Sequence, residues 1–473
     1  MLILDLILLT VVLILAGWRL FAPAAQPSVR IAGVGLGFVV AVAQWLLCGF
    51  TWQGLPAYLL LALCALPPLR NGRVLRWTGR LSFCGIAALS VGVWNLPAVP
   101  TLPRPDGRYA VGTEIYRWTD ISRDEPHTVD PTDRRSVIAQ AWYPAVRRET
   151  PQSGARLAYI DGIGRLPAKV SGMPSFLMRR YGQIDTNAEP YAPLAPGKQP
   201  WPVVIFSPGY GAPRAAYTGL ATQLASRGFV VFVLDHPYES AATELPDGRV
   251  VGTREILLPG ERSHIPYMVR EQVRRTADLR FVIDQLARPE ALSSPLRGRV
   301  NAAKVAVIGH SFGGAAAIEA MSEDPRVVAA ANIDGTPYGD LPDRQLTRPF
   351  LLLQSDYAET HHSTFFLNGN GKLLANTTAP AFRYEIRRAN HFSFTDAYFY
   401  LAPPGRWLLA QAMGGARGPA ETQRVVADIL AAFLSEPLTG TASDLAETAA
   451  RYEDVSGGAV KRKGGASVPA AAG

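Results

Sequence analysis

VAVIGHSFGGAAAIEAMSE, residues 305–323, is the stretch on which the fold turns. Its first four residues are apolar and three of them are β-branched, as suits a buried strand, and from Phe312 to about Glu323 small residues recur as they do along a helix. Between the two lies Gly309-His310-Ser311-Phe312-Gly313, a G-x-S-x-G pattern. Three fixed positions are a weak signal alone. A buried strand ending on them and a helix starting from them supply the context of a nucleophile elbow, which raises a serine hydroxyl above the edge of a sheet. Such a turn strains the serine backbone and brings strand and helix so close that side chains on either side collide, which is the task of the glycines. A plain strand-to-helix turn with an idle serine is the alternative.

Working outward, the same alternation repeats. PVVIFSP (202–208), FVVFVLDHP (229–237), VVAAANID (327–334), PFLLLQSD (349–356) and FRYEI (382–386) read as further strands, while 215–227, 267–287 and 425–434 have helical spacing. This is the pattern of a mostly parallel sheet with helices on both faces. RYAVGTEIYRW (108–118) and SVIAQAWYPA (136–145) read as an antiparallel hairpin at the sheet edge. Residues 436–473 are rich in Ala, Gly and Ser and are expected to hold little order beyond one short helix. No internal repeat is visible.

A lone serine is a poor nucleophile near neutral pH, so a base and an orienting acid should follow it in the order Ser, Asp or Glu, His. Beyond the elbow's own His310 the chain offers His361, His362 and His391. His391, in RANHFSF (388–394) just past a strand, is the expected base; His361 and His362 fall in a polar stretch that reads as a solvated loop. Asp334 and Asp356 each end a strand, and spacing does not choose between them; each also has the plain reading of a helix or turn cap. Asp324, Asp340 and Asp343 lie in turn-like stretches. Two backbone N–H groups are needed for the developing oxyanion, one from Phe312 and one from Tyr210, which glycines flank in SPGYG (207–211).

The first hundred residues are of another kind. The chain has 473 residues, 48% hydrophobic and 18% charged, which excludes wholesale disorder and a disulfide-stapled miniprotein. Its formal charge of +8 divides as +5 over residues 1–100, where Asp5 stands against six arginines, and +3 over the rest, so the excess is no basic stripe for nucleic acid. All three cysteines, Cys48, Cys64 and Cys84, fall in that first region, leaving the remainder without disulfide, thiolate nucleophile or cysteine-ligated metal. Apolar runs suggest a four-helix transmembrane region over 1–100, with spans near 2–18, 31–49, 55–69 and 81–97, the third being short. A cleaved signal peptide is the alternative for the first, but the start carries no positive residue. Arg19 and Arg30 fall in one connection and Arg70, Arg73, Arg76 and Arg80 in another, so the N-terminus is expected outside and the region after residue 100 extracytoplasmic. Only Asp5 is ionisable within the spans, which offers a transporter no polar pathway. Gly33, Gly35 and Gly37 read as close helix packing, not a nucleotide loop.

FSPGYGAPRAAYTGLATQLASRGFVVFVLDHPYESA, GHSFGGAAAIEAMSEDPRV, NIDGTPYGD and RANHFSF together resemble the platelet-activating-factor acetylhydrolase family of α/β-hydrolases, over about residues 105–400. The resemblance implies an α/β-hydrolase fold over 101–435, the acid at Asp334, and Tyr210 as second oxyanion donor. Pro208 departs from the family, where His often precedes the glycine, and the N-terminal region lies outside the resemblance. The expectation is a multi-pass membrane serine carboxylester hydrolase acting on lipid or short-acyl esters through Ser311, His391 and Asp334, with no cofactor and no metal. A polyester or cutin-like hydrolase using Asp356 is the alternative within the same chemistry, and a non-catalytic binding module the alternative outside it. Phe392, Phe394, Tyr398, Phe399 and Tyr400 are candidates for an acyl wall or for plain packing, and residues 357–380 for a lid.

Overall fold

The computed structural model describes residues 3–21, 27–48, 52–66, 73–93, 99–147, 157–162, 181–197, 200–256, 264–400 and 403–461. The chain divides into two compact units, 1–101 with 167–184, and 102–166 with 185–473.

The first unit holds four helices, α1 (Ile3–Phe21), α2 (Pro27–Cys48), α3 (Leu55–Ala65) and α4 (Arg73–Gly92). Leu8, Val12, Leu15, Leu60, Leu61, Cys64 and Phe83 pack among them. Gly33 and Gly37 lie at close approaches, where an added Cβ would stand 2.8 Å from Leu15 and 2.6 Å from Leu61, while Gly35 faces open space. Among the described residues, only α1 and α2 are long and apolar enough to cross a membrane, by length and composition. Of the four expected spans these two meet that test; those near 55–69 and 81–97 run partly beyond the described residues. The eleven residues of α3 rise only about 16 Å against a hydrocarbon core of about 30 Å. α4 starts at Arg73, so its first turns carry Arg73, Arg76 and Arg80 and its apolar part is correspondingly short.

The second unit is built on one sheet. Its strands in chain order are β1 (Ala110–Asp124), β2 (Arg134–Ala145), β3 (Glu189–Pro190), β4 (Trp201–Ser207), β5 (Val230–Asp235), the small ribbon of β6 (Thr243–Glu244) and β7 (Val250–Val251), β8 (Val300–His310), β9 (Val327–Ile333), β10 (Phe350–Ser355), β11 (Ala381–Ile386) and β12 (Val455–Ala459). Ten of them form the order β12-β11-β10-β9-β8-β4-β5-β2-β1-β3. From β5 to β11 the neighbours are parallel, and β1, β2 and β12 add antiparallel edges. Parallel strands are covered on both faces, so their apolar residues run without a polar break. Val203 and Ile205 join one core with Leu279, Val282 and Ile283 of α6 (Ile265–Leu286) and with α7 (Phe312–Glu323). Val204 and Phe206 point the other way, to Leu220 and Leu224 of α5 (Thr218–Ser226) and Ile429 and Leu430 of α10 (Pro419–Thr439). Between them in the chain come α8 (Thr364–Ala375) and α9 (Pro403–Met413).

The C-terminal stretch is more ordered than its composition suggested. α10 runs on to Thr439, α11 covers Leu445–Ala450, and β12 pairs antiparallel with β11 from Phe382↔Ala459 to Ile386↔Val455. Backbone pairing needs no apolar side chain, and here it excludes one: a Cβ on Gly457 would stand 2.1 Å from the Arg383 carbonyl. Residues 462–473 lie outside the described residues. Residues 357–380, expected as a lid, form the crossover between parallel neighbours β10 and β11, with a one-turn helix Tyr357–Thr360 and then α8.

Candidate active site

Ser311 stands between β8 and α7 with φ 55° and ψ −123°, a conformation that side chains rarely adopt. The glycines around it leave no room for a Cβ. One on Gly309 would be 2.1 Å from Gly313 O, on Gly313 1.9 Å from Ser207 O, on Gly314 1.9 Å from Asn332 Oδ1, and on Gly335 2.1 Å from Ser311 O. The Ser311 N–H donates to Ile333 O at 2.8 Å, tying the turn to the end of β9.

The next residue after β9 is Asp334, itself at φ 56°. Its Oδ2 lies 2.8 Å from His391 Nδ1 and accepts from Ser355 Oγ at 2.9 Å; its Oδ1 accepts from Ser355 N–H at 2.8 Å and lies 2.8 Å from His362 Nε2. Burial alone would raise this carboxyl, but the hydrogen bonds from His362 and His391 outweigh it and hold it well below the usual carboxylate range. With Nδ1 on the carboxylate, the Nε2 of His391 is the nitrogen left for a substrate-side proton. Asp356 takes a different place. Its Oδ1 accepts from Ala358 N–H at 2.9 Å and its Oδ2 from Arg388 N–H at 2.7 Å, so it caps the turn Tyr357–Thr360.

Behind the elbow, His310 joins two loops. Its Nε2 donates to the carbonyl of His391 at 3.0 Å, which can only accept; its Nδ1 therefore accepts from Tyr217 Oη at 2.8 Å, and Tyr217 in turn accepts the Gly209 N–H at 2.9 Å. Burial first, and then the neighbouring His391 imidazole with ring centroids 4.5 Å apart, push His310 down to about 3, so it stays neutral. Gly209 also approaches the elbow, where a Cβ on it would be 3.4 Å from Ser311 Cβ. The following residue is Tyr210, whose ring meets Phe312 edge-on at 6.1 Å. The Phe312 N–H opens α7 and belongs to the groups a helix leaves without an intrahelical partner. Arg275 clamps this loop from below: it donates to Pro208 O, to Gly209 O at 3.3 Å and to Ser207 Oγ at 3.2 Å while paired with Glu239.

The structure thus brings Ser311, Phe312, the Tyr210 loop, Asp334 and His391 to the carboxyl ends of β4, β8, β9 and β11. The sequence reasoning missed His362, which is buried instead of solvated and stacks on Phe366 at 4.2 Å. It also missed a second Ser-His-Asp arrangement, with Ser207 Oγ 3.0 Å from His236 Nε2 and His236 Nδ1 2.9 Å from Asp278 Oδ2. All three residues are fully buried, and Asp278 is bound to Arg135 and Arg123, so no substrate reaches this look-alike and it serves as a brace under the Tyr210 loop. Of the aromatic group after His391, Phe394, Tyr398 and Phe399 are buried and Phe392 is exposed. Among the described residues no group of three or more His, Cys, Asp or Glu could hold a metal ion.

The family model for platelet-activating factor acetylhydrolase, isoform II matches residues 98–281 and 284–446. The chain belongs to that family. It is 27% identical over 299 residues to a platelet-activating factor acetylhydrolase of Cavia porcellus, covering 56% of this chain and 62% of that protein. It is 26% identical over 340 residues to a probable 1-alkyl-2-acetylglycerophosphocholine esterase of Arthroderma benhamiae, covering 66% and 80%. The match thus spans about three-fifths of the mammalian relative's length. Among solved structures, a ferulic acid esterase from Streptomyces cinnamoneus superposes with a TM-score of 0.61 at 29% identity, covering 76% of this chain and 99% of that one. The α/β-hydrolase fold follows from this likeness together with the sheet.

Proposed function

We propose that this family member is a membrane-held serine carboxylester hydrolase of lipid or short-acyl esters. The observation that carries the reading is the 2.8 Å contact of His391 Nδ1 with Asp334, made beside a serine in a strained elbow. In this scheme Ser311 Oγ forms a bond to the ester carbonyl carbon as His391 Nε2 takes its proton. The oxyanion faces the N–H groups of Tyr210 and Phe312; the leaving alcohol takes the proton back from His391, and water then releases the acid by the same steps. Asp334 holds the imidazole in the required tautomer.

The helical unit supports a lipid setting, with α1 and α2 as crossings. Two crossings, or four if α3 and α4 also pass, both return the chain to the side where it began. With Arg19 and Arg30 held in the cytoplasm, the hydrolase unit is then extracytoplasmic. Near the His391 loop, the carbonyl of Met413 accepts from Asn390 at 2.8 Å, and the helix ending there, α9, exposes Trp407 and Leu408 by 63% and 60%. Such side chains suit a lipid surface.

The test is turnover of short-acyl phospholipids, p-nitrophenyl esters and polyester film by wild type and Ser311→Ala, with a fluorophosphonate label. The reading expects label and turnover on the first two substrates, both lost in Ser311→Ala while the thermal midpoint stays put. Preference for the film would move the chain to polyester hydrolysis, and an unlabelled wild type would make it a binding module.

A further inference from the structure

Asp334 lies between two imidazoles, and only one of them has a place in the scheme above. His391 meets Oδ2 and His362 meets Oδ1, each at 2.8 Å. His362 comes from the crossover after β10, two residues beyond the turn Tyr357–Thr360 that Asp356 caps, and its side chain is 3% exposed where that of His391 is 32% exposed. A carboxylate only accepts hydrogen bonds, so His362 Nε2 carries a proton and donates it to Oδ1. The other ring nitrogen, Nδ1, is buried and has no hydrogen-bond partner among the described residues. The ring face lies on Phe366 at 4.2 Å and 21°. These contacts leave His362 no edge for substrate and no route to Ser311, so it does not substitute for the base.

We propose that His362 is a positioning residue, which sets the strength of the Asp334–His391 pair by drawing part of the carboxylate charge to Oδ1; this rests on the roles given above to Ser311, His391 and Asp334. The physical consequence has a definite sign. Without the His362 donor, Oδ1 keeps only the Ser355 N–H, more of the charge on Asp334 turns to Oδ2, the imidazolium of His391 is better stabilised, and the base is freed of its proton only at higher pH. The groups that face this pair are few. His391 meets Asp334 and the ring of His310, Asp334 meets the two imidazoles and Ser355, and the Asp356 carboxylate is turned to the N–H groups of Ala358 and Arg388. Of these only the Ser355 N–H also reaches Oδ1, at 2.8 Å, and it is already engaged there, so it does not replace a second donor.

Two substitutions separate the donor from the ring. His362→Phe keeps a flat ring for Phe366 and removes the N–H, whereas His362→Gln places an amide N–H where Nε2 was and gives up the stack. The donor role predicts that in the full chain His362→Phe lowers kcat about tenfold to a hundredfold with KM within about twofold, the usual effect of losing a partner one shell out. The acid limb of its pH–rate profile moves up by about half a pH unit or more, while His362→Gln keeps both close to wild type. A structural role of the ring predicts the reverse ranking, with Gln the weaker enzyme and both acid limbs unmoved, and that result overturns the proposal. Should His362→Phe fail to fold, His362→Asn, whose shorter arm withdraws the donor, replaces it with the same expected limb shift. Substantial turnover in Ser311→Ala would instead remove the scheme on which the proposal rests, a separate and recognisable outcome.

Discussion

The two units of this chain treat polar and apolar groups in opposite ways. In the helical unit large apolar side chains look outward, with Leu47 76%, Ile31 69% and Leu81 68% exposed, while Asp5 and Gln44 are buried. Those polar groups are joined inside the bundle, Gln44 Nε2 donating to Asp5 at 2.9 Å and Tyr58 Oη to Gln44 at 2.6 Å. In the hydrolase unit Val203, Ile205, Phe232 and Leu279 are fully buried, and the charges that share the interior are matched by partners, as Arg135 is by Asp278 and Arg275 by Glu239. The difference is the one expected of a chain written for two solvents, as the proposed membrane setting requires. Apolar surface is favourable against lipid and unfavourable against water, and a buried carboxylate needs a donor in either.

The comparison is broken most severely inside the hydrolase unit, where buried carboxylates are held for different reasons. Asp334→Asn should lower turnover about 10⁴-fold, because the imidazole loses both its tautomer and its countercharge. A rate within tenfold of wild type would remove Asp334 from the scheme. Asp396 is the contrasting case, a buried carboxyl with no charged partner among the described residues, which accepts from Tyr159 Oη at 2.8 Å, Gln423 Nε2 at 2.7 Å and Gly219 N–H at 3.2 Å. Burial pushes it up to about 7. A carboxyl raised on folding binds more protons folded than unfolded between about 4, its ordinary value, and its raised value, so its contribution to stability falls as pH rises through that window and is level above it. The stability of wild type relative to Asp396→Asn should therefore drop by up to about 4 kcal/mol between the lower and upper ends. Denaturant titrations across the window measure this, and a flat difference would show that the carboxyl is ionised when folded.

What the sequence disclosed follows the same division. The elbow was legible because its glycines and strand-to-helix context are local, and the sheet because parallel strands need unbroken apolar runs. Asp334 and Asp356 were level on spacing, since both end a strand; the fold separates them, setting Asp334 against His391 and using Asp356 as a cap. His362 was illegible because its neighbours in sequence are polar and its burial comes from Phe366 and Asp334 after folding. Strand β12 escaped a composition argument because it pairs through backbone alone. In the helical unit hydropathy located the apolar run from residue 81 but not the arginine-bearing turns before it, because helix continuity does not require apolar side chains.

A smaller effect sharpens the contrast of solvents by making one substitution in both units. Val39, on α2, and Val129, in the hydrolase unit, are 66% and 94% exposed. Val39→Lys should oppose membrane insertion by about 3 kcal/mol and reduce the fraction that survives carbonate extraction. Val129→Lys should change stability by less than about 0.5 kcal/mol and leave extraction as it was. Equal tolerance at both sites would mean that α2 faces water.

The smallest effect belongs to Asp356, and it decides most sharply what kind of carboxylate the hydrolase unit keeps at a strand end. Its two oxygens accept the N–H groups of Ala358 and Arg388, and its own N–H donates to Ala389 O at 2.8 Å. Asp356→Ala leaves those donors to water at the partly exposed turn, so the loss should be that of a helix cap, about 1 kcal/mol. His362 follows directly on the end of this turn, so a modest decrease in kcat, within about tenfold, is expected from a loosened Oδ1 contact, with no change in fluorophosphonate labelling. Denaturation midpoints and kcat on one ester substrate read both effects together. A decrease of thousands in kcat with stability intact would identify Asp356 as the orienting acid, and the second imidazole on Asp334 would then need another explanation.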